Sequence, residues 1–230
     1  MSGRQQKCIF VPTQSPTDWQ RLLAEPEKHW RPGYSAHSLA TCWESANGIP
    51  PEIAALLRSH PDFIEDAPSL VVGLPELKTE LPGGGSASQT DLFAIVASGE
   101  KRIALGVEGK VAEPFGETLG EWLKNASTGK LERLAYLSQL LGLKAPLPPT
   151  IRYQLVHRTA SAVLEARRFQ IPHAALIVHS FSPDHLWFDD FRNWCLAFGA
   201  DAALGRLVLL ADLQGTRLYA GWATGQLPGA

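Results

Sequence analysis

Among the 230 residues, Asp91, Glu108 and Lys110 are the ones whose types and spacing best suit chemistry. Segments 91–97 and 102–111 read as strands separated by Ser98-Gly99-Glu100-Lys101. Glycine first in a two-residue loop is the signature of a type II′ hairpin, so Gly99-Glu100 sets the register. With Ser98 opposite Lys101, Asp91 falls opposite Glu108, and Lys110 opposite Gln89. Side-chain alternation then places Asp91, Glu108 and Lys110 on one face. Carboxylates directly opposite one another repel. In the apolar company of Phe93, Ile95, Leu105 and Val107, such a pair must raise one pKa, recruit a cation, or both. Mg²⁺ or Mn²⁺ suits the pair, because Mg²⁺ takes one or two carboxylates together with waters and phosphate oxygens. Lys110 would then hold the attacking water or neutralise charge developing on a phosphate. The alternative is an edge hairpin with two solvated acids, one of them paired with Lys110.

The elements that must position this hairpin follow from periodicity and caps. A helix over 36–46 is capped by Ser35 or Ser38 and stopped by Asn47-Gly48, and a second covers 51–59, with Pro51 and Glu52 in its first turn. Segment 69–81 is extended, and Pro75 marks it as an edge strand or an interrupted one. Helices are expected over 117–125, 130–143, 151–169 and 186–198, a strand over 174–181, and a closing hairpin over 206–212 and 216–222. This order predicts one α/β domain over 1–230, an α+β mixed sheet flanked by helices and ending in a β-hairpin.

Asp91 followed by Glu108-Gly109-Lys110 resembles the D…(D/E)xK signature of the PD-(D/E)XK nuclease superfamily. Its restriction-endonuclease-like members share an αβββαβ core with the acid pair on the second and third strands. The resemblance spans 36–181, leaving 1–35 as an N-terminal arm and 182–230 as a C-terminal elaboration. Thr90, not Pro, precedes Asp91, which departs from the motif. Runs 107–110 and 157–162 also resemble those of functionally unassigned bacterial proteins. The resemblance implies a metal-dependent nuclease acting on DNA or RNA. Asp91 and Glu108 would bind the metal, helped by a glutamate of the first core helix, for which Glu44 is the match and Glu80 a weaker one. Gln154, His157 and Arg158, at i, i+3 and i+4, share a helix face that would hold substrate, with Arg158 the best phosphate donor.

Composition bounds the reading. Net charge is −2 and 45% of residues are hydrophobic, which excludes global disorder. No apolar run is long enough for a membrane helix, and the first ten residues lack a secretory core, so a cytoplasmic protein is expected. Three cysteines without a CxxC pair argue against a disulfide scaffold. Residues 60–121 carry eleven acidic against four basic side chains, while 122–171 carry two against eight. A metal site beside a polyanion-binding face would look like this, and so would ordinary solvated helices. Gly83-Gly84-Gly85 lacks the Gly-Lys-Ser/Thr of a phosphate loop and reads as a flexible connection. His173, His179 and His185 have the wrong spacing for a shared zinc. Trp187, Phe188, Phe191 and Trp194 form a stripe suited to the core or to contact in a homodimer. The rival to a nuclease is an inactive binding module in which Lys110 merely neutralises the acids. A thiol enzyme would need Cys42 or Cys195 beside a histidine such as His157.

Overall fold

The computed structural model describes residues 13–227. Cys8, the expected leaderless start and the first part of the 1–35 arm lie outside the described residues. Short helices α1 (Thr17–Gln20) and α2 (Pro26–His29) precede α3 (Ser35–Ser45) and α4 (Pro51–Arg58). Strands β1 (Ser69–Thr79), β2 (Ser88–Ser98) and β3 (Lys101–Lys110) form a meander. Helices α5 (Leu119–Trp122), α6 (Thr128–Leu140) and α7 (Tyr153–Arg168) lead to β4 (His173–Ser180). Helix α8 (Phe188–Leu196) and strands β5 (Leu207–Asp212) and β6 (Arg217–Thr224) complete the described chain. The six strands make one sheet in the order β1-β2-β3-β4-β6-β5. β3, β4 and β6 run parallel, and the other neighbours are antiparallel. This is the mixed α/β architecture expected, with β1 at an edge as Pro75 requires.

Alternation along the strands divides the interior into two cores. Phe93, Ile95, Ala104, Leu176 and Val178 face α7 and α8, where they meet Leu155, Val163, Phe191 and Trp194. The aromatic stripe of α8 is therefore core on its Phe191–Trp194 side. Leu92, Ala94, Leu105, Val107 and Ile177 face α3 and α4 and meet Leu39, Trp43, Ile53 and Leu57. Because β3 and β4 are covered on both faces, their apolar runs are nearly continuous.

Two glycines let helices approach the sheet closely. At Gly106 a Cβ would sit 3.2 Å from the Ala162 Cβ, so α7 lies tight over β3. On the other face, a Cβ at Gly109 would meet the Ser35 carbonyl and the Leu39 Cβ, both at 3.3 Å. The glycine loop after β1 is not slack. The Arg133 guanidinium donates to the carbonyls of Leu81, Pro82, Gly84 and Ser86, and binds the loop to α6. Loop and helix touch backbone to backbone, since a Cβ on Gly129 would fall 2.1 Å from the Gly83 oxygen. Replacing glycine by alanine in a helix usually gains about 1 kcal/mol. Gly129→Ala should do the opposite and lower the melting temperature by several degrees. Thermal denaturation showing an equal or higher midpoint would contradict this packing.

Candidate active site

The β2–β3 ladder runs from Ser98↔Lys101 to Leu92↔Val107, and the same register carried one step further sets Asp91 opposite Glu108. Gly99 has the positive φ, 57°, that the turn requires. Glu108 is buried at 2% exposure and both its oxygens accept hydrogen bonds. Its Oε1 accepts from Lys110 Nζ at 2.8 Å and Gln154 Nε2 at 2.6 Å, and its Oε2 from Arg158 Nε at 2.7 Å. Lys110 Nζ lies 4.8 Å above the Phe115 ring and 3.4 Å from Gln154 Oε1. Asp91 Oδ2 accepts from the Gly109 N–H at 2.9 Å, while Oδ1 lies 4.0 Å from Arg158 Nη2. His157 Nδ1 and Ser88 Oγ are hydrogen-bonded at 2.8 Å, and Arg158 Nη1 donates to that hydroxyl at 3.0 Å. Gln154, His157 and Arg158 do share one face of α7, and all three line a cleft of about 510 Å³ with Asp91, Glu108 and Lys110.

The glutamate expected from the first core helix is not there. Glu44 Oε1 accepts from Trp19 Nε1 at 2.8 Å and Thr13 Oγ1 at 2.7 Å, away from the cleft. Gly109 fixes the packing of α3 so that Ser35 and Ala36 border the cleft. Nine residues further along, Glu44 is about 14 Å away down the helix axis. Glu80 does not line the cleft either. A third carboxylate comes instead from Glu76 on β1. It falls opposite Asp91, between the Pro75↔Leu92 and Leu77↔Thr90 pairs, and Gln89 Nε2 donates to its Oε2 at 2.8 Å. Its φ of 54° is a left-handed backbone rare for a glutamate. Three carboxylates thus cross three adjacent strands, against the two cations Lys110 and Arg158.

The charges settle unequally. Burial, and then the neighbouring Glu108, push the Asp91 carboxyl up to about 7. Burial and Asp91 push Glu76 up to about 8. For Glu108, burial acts upward too, but Lys110 and Arg158 outweigh it and hold the carboxyl down. Burial and the adjacent Arg158 keep His157 neutral, well below the usual histidine range.

A family described as a domain of unknown function, DUF6946, matches residues 12–227. The chain belongs to the DUF6946 family. No curated protein and no solved structure matches it.

Elsewhere in this DUF6946 chain, Cys42 pairs with Glu52 and His179 rather than with His157. Cys42 Sγ, a Glu52 oxygen and a His179 ring nitrogen lie within 4.8 Å of one another. Trp43 Nε1 donates to His179 Nδ1 at 3.2 Å, and an indole N–H can only donate. The neutral ring therefore carries its proton on Nε2 and gives it to Glu52 Oε1 at 2.9 Å, leaving no lone pair there for a metal. Burial and Glu52 push the Cys42 thiol up to about 12, away from the thiolate form that a nucleophile uses. Cys195 is buried and its thiol is pushed up likewise. Several basic side chains of 122–171 are engaged within the protein. Arg152 pairs with Asp190, Arg167 holds the Leu213 carbonyl, Arg168 pairs with Glu165, and Arg158 enters the acid pair. No helix among the described residues is long and apolar enough to cross a membrane.

A carboxyl whose pKa is raised on folding favours its protonated form, so its contribution to stability is complete at low pH. For Asp91 it is lost as the pH rises from the ordinary carboxylate range through about 7. Asp91→Asn should therefore melt several degrees above the parent at about pH 9, with a much smaller difference at about pH 5. Because Asp91 ionises before Glu76 and then raises it, Asp91→Asn should also lower the Glu76 midpoint in carboxyl NMR. A pH-independent difference for Asp91→Asn would place the repulsion elsewhere.

Proposed function

We propose that this chain is a metal-dependent phosphodiesterase of the nuclease type, hydrolysing nucleic-acid phosphodiester bonds. The observation that carries the reading is the contrast within the acid pair. Glu108 is fully held by Lys110, Gln154 and Arg158, whereas Asp91 Oδ1 accepts no hydrogen bond among the described residues and borders the open cleft. The donor set suits a hard divalent ion: two facing carboxylates, one of them reluctant to carry its charge unaided. Asp91 and Glu108 are the residues that would hold Mg²⁺ or Mn²⁺. Such an ion supplies an activated water and charge stabilisation for the leaving oxygen.

The remaining roles belong to the protein. Lys110 is pinned between Glu108 and Gln154, so its ammonium is preorganised to orient a water or to meet charge developing on phosphorus. Gln154 fixes both partners of that ion pair. Arg158 supplies the positive charge that lets two carboxylates coexist, and is spent internally more than the sequence suggested. Phe115 closes the floor beneath Lys110 and keeps water from screening it.

One observation favours the rival reading, a binding module with the chemistry lost: three donors already satisfy Glu108. The two readings part on simple measurements. Mg²⁺ or Mn²⁺ should raise the melting temperature of the native protein, and Asp91→Asn should remove that rise. Single- or double-stranded DNA or RNA should be cleaved with the metal, and Lys110→Ala should lower turnover by about 10²–10³ with little loss of affinity. A native protein with neither a metal-dependent stabilisation nor cleavage would leave the binding module as the function.

A further inference from the structure

Gln154, His157 and Arg158 of α7 line the cleft together, but their donors are not equally free. Gln154 Nε2 and Arg158 Nε donate to Glu108, Arg158 Nη1 donates to Ser88 Oγ, and Arg158 Nη2 lies 4.0 Å from Asp91 Oδ1. His157 gives nothing to the acids. Glu76, Asp91, Glu108, Glu113 and Glu117 all line the same cleft. In that company a cationic donor is drawn into ion pairs, as Lys110 and Arg158 are. A neutral donor escapes the capture.

The neighbours of His157 fix both its orientation and its tautomer. Among the described residues Ser88 Oγ has two polar partners, Arg158 Nη1 at 3.0 Å and His157 Nδ1 at 2.8 Å. A guanidinium has no acceptor, so the Ser88 hydroxyl donates to Nδ1. Arg158 Nη1 also approaches Nδ1, at 3.5 Å, and it too can only donate. With two donors aimed at it, Nδ1 is the bare nitrogen and the single ring proton sits on Nε2. Burial and Arg158, which keep the ring neutral, agree with this tautomer. Tyr153 packs on the ring at 4.8 Å between centroids and is itself stacked on Trp122 at 3.8 Å. The Nε2–H leaves the ring on the side away from Ser88 and has no acceptor among the described residues. Nor is it sealed from solvent, because the described polar side-chain atoms both sealed and unpartnered are Ser38 Oγ and Trp222 Nε1.

We propose that the His157 Nε2–H is the substrate contact of α7, a neutral donor to a non-bridging phosphate oxygen of a nucleic-acid strand in the cleft. This rests on the phosphodiesterase reading, and it moves the phosphate contact from Arg158, the stronger donor by residue type, to its neighbour. Ser88 is then a positioning residue, since its hydroxyl decides which ring nitrogen carries the proton. The donor bears no charge, so it leaves the balance among the acids untouched and needs no counter-ion while the cleft is empty. Held by Ser88, Arg158 and Tyr153, it requires no rearrangement to meet the phosphate.

The first measurement is ¹⁵N NMR of the imidazole rings in the whole native chain, without nucleic acid. His157 should show a bare Nδ1 and a protonated Nε2 at neutral pH. A charged ring, or a proton on Nδ1, overturns the proposal and leaves the phosphodiesterase reading intact. The second measurement uses two near-isosteres, since an asparagine amide reaches about as far as Nδ1 and a glutamine amide about as far as Nε2. His157→Asn should keep the Ser88 bond and lose the outer donor. Its KM for a short single-stranded DNA with Mg²⁺ should rise by about tenfold to a hundredfold, with kcat little changed. His157→Gln, which keeps that donor, should stay within a few-fold of the parent. A parental KM in folded His157→Asn overturns the proposal alone. Circular dichroism checks folding. If His157→Asn does not fold, the Nε2 signal of His157 in Lys110→Ala decides: it should shift when the same DNA and Mg²⁺ are added, and an unmoved signal overturns the contact. A native chain that cleaves no nucleic acid removes the phosphodiesterase reading, and this contact with it.

Discussion

The pairing of Arg158 with Glu108 is the contact on which this end of the sheet depends. Glu108 sits under α7, out of water, with Asp91 across the ladder and Glu76 beyond it. Remove the guanidinium and three acids would share one apolar wall with a single ammonium. Truncating one partner of a buried pair generally costs about 3–5 kcal/mol, because the other charge is left stranded. The reach of Arg158 depends in turn on Gly106, where the missing Cβ lets α7 settle onto β3. A backbone detail in the strand therefore decides whether the carboxylates can be assembled at all.

Among the described residues two buried arginines solve the same electrostatic problem in opposite ways. Arg158 meets carboxylates. Arg133 meets the backbone carbonyls of the glycine loop and no carboxylate among the described residues. The sequence signal for both was the basic run 122–171, which read either as a polyanion-binding face or as ordinary solvated helices. Most of those side chains are consumed in holding the fold.

How much was legible in the sequence follows the range of the interactions concerned. The β2–β3 register could be read because a two-residue turn with glycine first is a local device, and the i, i+3, i+4 face of α7 for the same reason. Glu44 was misplaced because the end of α3 that meets the cleft is set by contacts with Gly109, which is remote in sequence. Glu76 was missed because the loop joining β1 to β2 is too long to fix a register, although Pro75 did mark an interruption beside it. The glycine loop read as slack because the side chain that shapes it lies 47–52 residues away from the carbonyls it holds. Cys42 and His179 come together across 137 positions of sequence by way of Glu52, with nothing local to announce it.

Both margins of the sheet are irregular. β1 shifts register between Leu70 and Val72, and β5 between Leu209 and Ala211. Straight, regular edges present rows of unpaired N–H and C=O groups that can template a strand from another molecule. On β1, Pro75 offers no N–H to a further strand, and Glu76 beside it has a left-handed backbone. The kink that delivers a third carboxylate to the cleft thus also breaks the seam along which crowded copies could stitch together. A smoother β1 would cost the protein both the carboxylate and part of its protection against aggregation.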